Sequence, residues 1–184
     1  EVAVLAQIAG DSLGNLPKQV LDAIQWTARQ LKPKHRKMLK QWPATIQINI
    51  EGIGEILFCH ATPRNETEIF TRLTAAEKLL PIFENLNVDL IVCGHTHMQF
   101  DRMIANTRVV NAGSVGMPFG APGAYWLLLG QGVEFRRTNY DLKDAAMSVC
   151  LSSYPQATDF AKNSVLHPPS EESILEIFSR SELT

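Results

Sequence analysis

A chain of 184 residues, 45% hydrophobic and 20% charged, can bury about 70% of the surface its unfolded form exposes, so a core needs no disulfide or metal staple. Its formal net charge of −2 gives no global pull toward nucleic acid or an anionic membrane. Three cysteines, Cys59, Cys93 and Cys150, make no disulfide framework, and no window approaches ~18 consecutive apolar residues, so residues 1–184 read as one domain in a reducing, cytoplasmic setting.

Glu1-Val2-Ala3-Val4 looks like the interior of a helix and carries no initiator methionine, which leads us to expect a longer native protein with this chain as its C-terminal portion. From Pro17 to Leu31 the residues Val20, Leu21, Ile24, Ala28 and Leu31 recur at helical spacing, with proline near the start where its missing N–H costs nothing. A second helix is expected from Pro33 to Trp42, where Lys32, Lys34, Arg36, Lys37 and Lys40 read as a solvated face because no aromatics interleave them.

Thr45 to Ile50 alternates, with Ile46, Ile48 and Ile50 on one side and Thr45, Gln47 and Asn49 on the other, the pattern of a strand with one wet face. Ile56-Leu-Phe-Cys59 is continuously apolar, as in a strand covered on both faces, and it delivers His60 at its carboxyl end. Thr74-Ala-Ala-Glu77 predicts a capping box opening a helix whose Leu79, Leu80, Phe83 and Leu86 face one way, with Pro81 kinking or restarting it. Asp89-Leu-Ile-Val-Cys93 is the next buried strand. Strand, helix and strand make a βαβ crossover, which brings His60, His95 and His97 to the same edge of a parallel sheet.

Arg108–Asn111, Ala124–Leu129 and Val133–Thr138 predict three more strands, the last two joined through Gly130-Gln-Gly132 as an antiparallel hairpin. Helices are expected from about Asp141, Gln156 and Ser170, the last capped by Ser170 with Glu171 and Glu172 in its first turn. The Leu166-His-Pro-Pro-Ser170 loop would let residues 166–184 stand as a helical extension.

Five histidines are present, two of them in Val92-Cys-Gly-His-Thr-His-Met-Gln-Phe100. A tight turn after a strand, expected from Gly94, offers His95 and His97 together, and His60 adds a third imidazole from a neighbouring strand end. A cysteine-containing zinc knot with Cys59 and Cys93 is the weaker reading, because the spacing matches no C-x-x-C pattern and both thiols fall in apolar runs. His35 and His167 have no partners in view.

Phe58-Cys-His-Ala-Thr-Pro63, Gly94-His-Thr-His97 and Asn111-Ala-Gly-Ser-Val-Gly-Met-Pro118 together resemble the C-terminal half of the calcineurin-like metallophosphoesterase superfamily, especially its small prokaryotic phosphatase branch. The likeness continues through Gly123-Ala-Tyr-Trp-Leu127 to Tyr140-Asp-Leu142. It implies an α/β fold of two packed mixed β-sheets flanked by helices, with two divalent transition-metal ions, Mn, Fe, Co, Ni or Zn, at the carboxyl ends of the strands. By the resemblance His60 and His95 would bind one ion and His97 the other, while Thr62 and Pro63 would shape the loop behind His60. Members of the family carry Asp-x-His, Gly-Asp and Gly-Asn elements upstream. Gly10-Asp11 and Gly14-Asn15 look like two of these, but no βα unit separates them, and we take them as coincidence, with N-terminal βαβ units missing from this chain.

The implied activity is hydrolysis of a phosphate ester by a dinuclear site that activates water for in-line attack, on a phosphorylated small molecule or other phosphoester. Arg64 and Asn65, just past His60, are candidates to hold non-bridging phosphate oxygens. The isolated chain is expected to be inactive without the upstream ligands. A degenerate phosphoesterase fold acting as a non-catalytic binding module is the alternative, and nucleic-acid binding through the Lys32–Lys40 helix is a weaker third.

Overall fold

The computed structural model describes residues 1–183, and each of its regular elements stops for a local reason. Helix α1 (Val2–Ala9) ends at Gly10, whose left-handed φ of 83° lets the Asp11 N–H bond the Ala6 carbonyl and the Gly10 N–H that of Gln7, a Schellman cap. Gly10-Asp11 is therefore a helix stop. Helix α2 (Lys18–Gln30) follows Pro17, and α3 (Pro33–Lys40) has proline at its first position. Arg36 of the basic run reaches back with Nε to the Leu31 carbonyl (2.9 Å) and with Nη2 to that of Ala28 (3.3 Å), so one of its cations closes the end of α2.

Five strands then build the main sheet in the order β1-β2-β3-β5-β4: β1 (Thr45–Ile50), β2 (Gly54–Cys59), β3 (Leu90–Cys93), β4 (Phe100–Ile104) and β5 (Thr107–Asn111). Strands β2, β3 and β5 are parallel, pairing Phe58 with Val92 and Val92 with Val110, while β1 and β4 run antiparallel at the edges. The crossover from β2 to β3 passes through α4 (Ala76–Phe83), the expected βαβ unit. Strands β6 (Ala124–Leu129) and β7 (Val133–Thr138) form a separate two-stranded antiparallel sheet.

The sheet is sandwiched. On one face Ile91, Cys93, Val109, Phe100 and Ile104 pack with Leu79, Ile82 and Phe83 of α4 and with Phe70. On the other, Ile56, Leu90, Val92 and Val110 meet Leu127, Leu129 and Val133 of the hairpin sheet. Full burial of one such side chain stabilises by roughly 1.5–3 kcal/mol, against about 0.5 kcal/mol for an exposed pair such as Lys18–Asp22. These two apolar layers, and not the surface charges, hold the strand ends in place.

Four local expectations are corrected. The apolar face of strand β1 is covered only at its end: Ile50 packs against the core, while Ile46 and Ile48 are 52% and 43% exposed. The capping box does not form, because the Thr74 hydroxyl accepts from the Thr71 N–H (2.9 Å) and donates to Glu182 Oε1 (2.8 Å), leaving Ala75 at the N-cap of α4. Helix α4 also runs through Pro81 for two more residues, so the proline does not restart it. Strand β4 is additional, its apolar alternation interrupted on the inward side by Arg102, whose Nη1 donates to the carbonyls of Thr71 (3.2 Å), Arg72 (3.3 Å) and Thr74 (2.8 Å). The cation satisfies a loop that no backbone ladder reaches.

After β7 come α5 (Leu142–Cys150), capped by Asp141, and α6 (Ala157–Phe160), which continues as a π-helical stretch over Ala161–Leu166. They pack on one another through Ala146, Ala161 and Val165. Helix α7 (Glu171–Ser179) opens with Ser170 Oγ accepting from the Ser173 N–H, the expected N-cap. Beyond α7 the Leu183 N–H donates to the Ile69 carbonyl (2.9 Å), and Glu182 bonds Thr74 and Lys78. Among the described residues no helix is long and apolar enough to cross a membrane.

Candidate metal centre

Parallel pairing sets β2 and β3 level, and a bond from the Gly94 N–H to the His60 carbonyl (2.9 Å) extends their ladder one step past both strand ends. The side chains that follow meet there. His95 Nδ1 lies 3.2 Å from His60 Nε2, with ring centroids 5.0 Å apart. Two nitrogens at ~2.0–2.1 Å from one first-row ion stand about 2.9–3.4 Å apart, depending on whether the shell is octahedral or tetrahedral. This pair fits a shared cation.

Gly94 does not make the turn. The left-handed residues are the histidines themselves, His95 at φ 61° and His97 at φ 60°, conformations that cost about 1 kcal/mol or more each outside glycine. Their neighbours hold them there. Asn111, fully buried at the end of β5, donates its amide to the Gly94 carbonyl and to Thr96 Oγ1 (3.1 Å), and accepts from the Gly113 N–H (2.9 Å). The Ala112 N–H bonds the Cys93 carbonyl.

His97 is oriented from a third loop. Its Nδ1 is 2.8 Å from the Met117 carbonyl; a carbonyl only accepts, so Nδ1 carries the proton and Nε2 keeps the lone pair a metal needs. Phe119 stacks on the ring at 5.7 Å and 23°. Burial, followed by the neighbouring His60, lowers the His95 pKa against an opposing backbone hydrogen bond with Thr67. Burial likewise lowers that of His97, against the Met117 bond. Both shifts favour the neutral imidazole, the ligating form. Among the described residues no group of three or more His, Cys, Asp or Glu side chains is placed to hold one ion.

The loop after His60 is closed by its own polar groups. Glu68, its side chain 7% exposed, accepts from Arg64 Nε and Nη2 (2.9 and 2.6 Å) and from the Thr62 hydroxyl (2.6 Å). The Thr62 N–H bonds the Asn65 carbonyl (3.0 Å), and Asn65 Oδ1 accepts from the Thr67 N–H (2.7 Å). Burial alone would raise the Glu68 pKa, but the Arg64 and Thr62 hydrogen bonds and the Arg64 charge outweigh it and leave the carboxyl below its usual range. Cys59 and Cys93 are not thiolates: burial pushes the first up to about 12 and the second well above the ordinary thiol range.

The roles of Asn111, Thr96, Met117 and Phe119 are not readable from spacing. Asn111 left a signal as a polar residue ending an apolar strand, and Thr96 and Met117 fall inside the motifs that carry the resemblance.

The Calcineurin-like phosphoesterase superfamily domain profile matches residues 14–130, well over half of the chain. The chain belongs to this superfamily. The match begins at Gly14, so Gly14-Asn15, set aside above as coincidence, lies within it. A hypothetical protein, PH1004, of Pyrococcus horikoshii OT3 shares the fold at a TM-score of 0.70 and 19% identity, over 91% of this chain and 72% of that one. A metallophosphoesterase of Sphaerobacter thermophilus is similar at 0.63 and 22%, over 87% and 73%. These likenesses are of fold. No curated protein matches the chain.

Proposed function

We propose that the protein hydrolyses a phosphate ester using two divalent transition-metal ions, and that His60 Nε2 and His95 Nδ1 serve one ion and His97 Nε2 the other. The observation that carries this reading is the 3.2 Å approach of two imidazoles from separate loops, a spacing suited to a shared first-row cation. When bound, the ions would neutralise the phosphoryl oxygens and activate the attacking water. The chain's own part is to keep the imidazoles neutral and aimed before the ions arrive.

On this reading Arg64 and Asn65 bind the phosphate. Glu68 engages the Nε and Nη2 edge of Arg64, a side chain 54% exposed, so Nη1 is the donor for a phosphate oxygen. Asn65 would offer its amide Nδ2, because Oδ1 is committed to Thr67. The imidazole donors suit Mn, Fe, Co, Ni or Zn better than Mg or Ca. Three free thiols, Cys93 buried, Cys59 half-buried and Cys150 exposed, accord with a reducing cytoplasm.

The test is phosphomonoesterase and phosphodiesterase assay of the complete protein with Mn or Ni, beside His95→Ala. Activity should fall by about 100-fold or more in the variant; equal activity removes the reading. The non-catalytic reading draws on the absence, among the described residues, of any group of three or more His, Cys, Asp or Glu side chains placed to hold an ion. Metal analysis divides the two: two ions per chain favour the hydrolase, none the binding module.

A further inference from the structure

The loop that orients His97, residues 112–123, has no helix or strand and four glycines, Gly113, Gly116, Gly120 and Gly123. Such a segment loses much conformational entropy when ordered, and it does not order itself. Within it the Met117 N–H bonds Ser114 Oγ (2.9 Å), and Tyr125 of β6 donates its hydroxyl to the Ala121 carbonyl (2.8 Å). The sheets hold its two ends, through the Ala112 N–H to the Cys93 carbonyl (2.9 Å), the Gly113 N–H to Asn111 Oδ1 (2.9 Å), the Tyr125 N–H to the Ser114 carbonyl (3.0 Å) and Arg137 Nη2 to the Pro122 carbonyl (2.6 Å), and the C-terminal segment supports the stretch around Phe119. The Gly120 N–H donates to the Pro169 carbonyl (2.8 Å), and a Cβ at Gly120 would stand 3.2 Å from Glu171 Cγ. Phe178 of α7 sets its ring against that of Phe119 at 6.0 Å and 74°, an edge-to-face contact.

We infer that helix α7 positions His97: Phe178 fixes Phe119, Phe119 fixes the plane of the imidazole, and the aim of Nε2 follows. The inference rests on the reading of His97 as a metal ligand. Helix α7 is itself anchored at both ends. Glu171 pairs with Arg72 (2.7 Å), while Glu182 and Leu183 tie to Thr74, Lys78 and Ile69. The C-terminal segment thus runs from the His97 loop to the chain between β2 and α4, and its docking reaches an imidazole that it does not touch. Phe178 is a positioning residue.

The experiment is Phe178→Ala in the full chain, with Phe178→Tyr as the variant that keeps the ring and Ile177→Ala as the control. Ile177 lies on the same helix and is 53% exposed. Two readouts are taken: the Nδ1 proton of His97, which its bond to Met117 should protect from exchange in a nitrogen-resolved NMR spectrum, and the Kd for zinc. Phe178→Ala should lose the protected proton and weaken zinc binding by about tenfold or more. Phe178→Tyr should restore both, and Ile177→Ala should change neither. Should Phe178→Ala fail to fold, Phe178→Leu fills the space without a ring edge and should lose part of both signals. A wild-type proton signal and a wild-type Kd in the folded Ala or Leu variant overturn the inference, as does an equal loss in Ile177→Ala. If the wild-type chain binds no zinc, the metal reading fails by itself and the proton readout still decides whether α7 positions the ring.

Discussion

The Asn111 amide lies 3.1 Å from the hydroxyl of Thr96, and both side chains are at most 2% exposed. With its further bonds to Gly94 and Gly113, Asn111 joins the histidine loop to the glycine-rich loop. Replacing it by Leu leaves the Gly113 N–H, the Gly94 carbonyl and the Thr96 hydroxyl without this partner, at a cost of about 1–3 kcal/mol for a buried group left unpaired. Urea unfolding should show a midpoint drop corresponding to ~3 kcal/mol. A loss under ~1 kcal/mol would mean that the two loops hold each other without it.

His95 gives a prediction of opposite sign. Its backbone sits at φ 61°, where glycine is unstrained. His95→Gly should leave the metal-free fold as stable as before, or more stable by up to about 1 kcal/mol, while abolishing metal binding. Thermal unfolding with a chelator present, compared with unfolding in zinc, measures the two halves separately. A large loss of metal-free stability would show that the ring contributes more through packing than its backbone costs.

Gly113 tests the close approach beneath the site. A Cβ there would stand 2.8 Å from Gln99 Cγ and from Tyr125 Cβ, on a backbone at φ 80°. Gly113→Ala should destabilise by roughly 2 kcal/mol or more through overpacking and a forbidden conformation together. Gly116→Ala, with nothing within 4 Å and no positive φ, should lie within about 0.5 kcal/mol of wild type.

Glu68 predicts acid sensitivity. Its folded carboxyl is held below the ordinary range, so its contribution is full above the unfolded pKa of about 4.3 and is lost as pH falls through the lower folded value. Melting temperature followed downward from pH 6 should fall more steeply in wild type than in Glu68→Gln. Arg64 is 54% exposed, and solvent screening keeps the ion pair's share small. Parallel curves would place the effect elsewhere.

What the sequence discloses depends on how locally each feature is encoded. The crossover from β2 to β3, the β6–β7 hairpin and the Ser170 cap follow from periodicity and end signals within a dozen residues, and they form as expected. Strand β4 was hidden because Arg102 occupies an inward position, and its value lies in three carbonyls about 30 residues away in sequence. The capping box at Thr74 matched its pattern, yet a carboxylate 108 residues on took the hydroxyl instead. At the candidate metal centre the same rule holds. The histidines announce themselves, but the turn attributed to Gly94 is made by the histidines, and the partners that hold them come from β5 and the loop that follows it, beyond the reach of local pattern.

The unequal burial of the three sulfurs gives this chain a built-in reporter position. Cys59 and Cys93 lie in or beside the core while Cys150, closing α5, faces solvent, so a maleimide dye near neutral pH should attach once per native molecule and three times after unfolding. Counting the dye by mass would then follow opening of the sheet without an engineered cysteine or a change to any histidine.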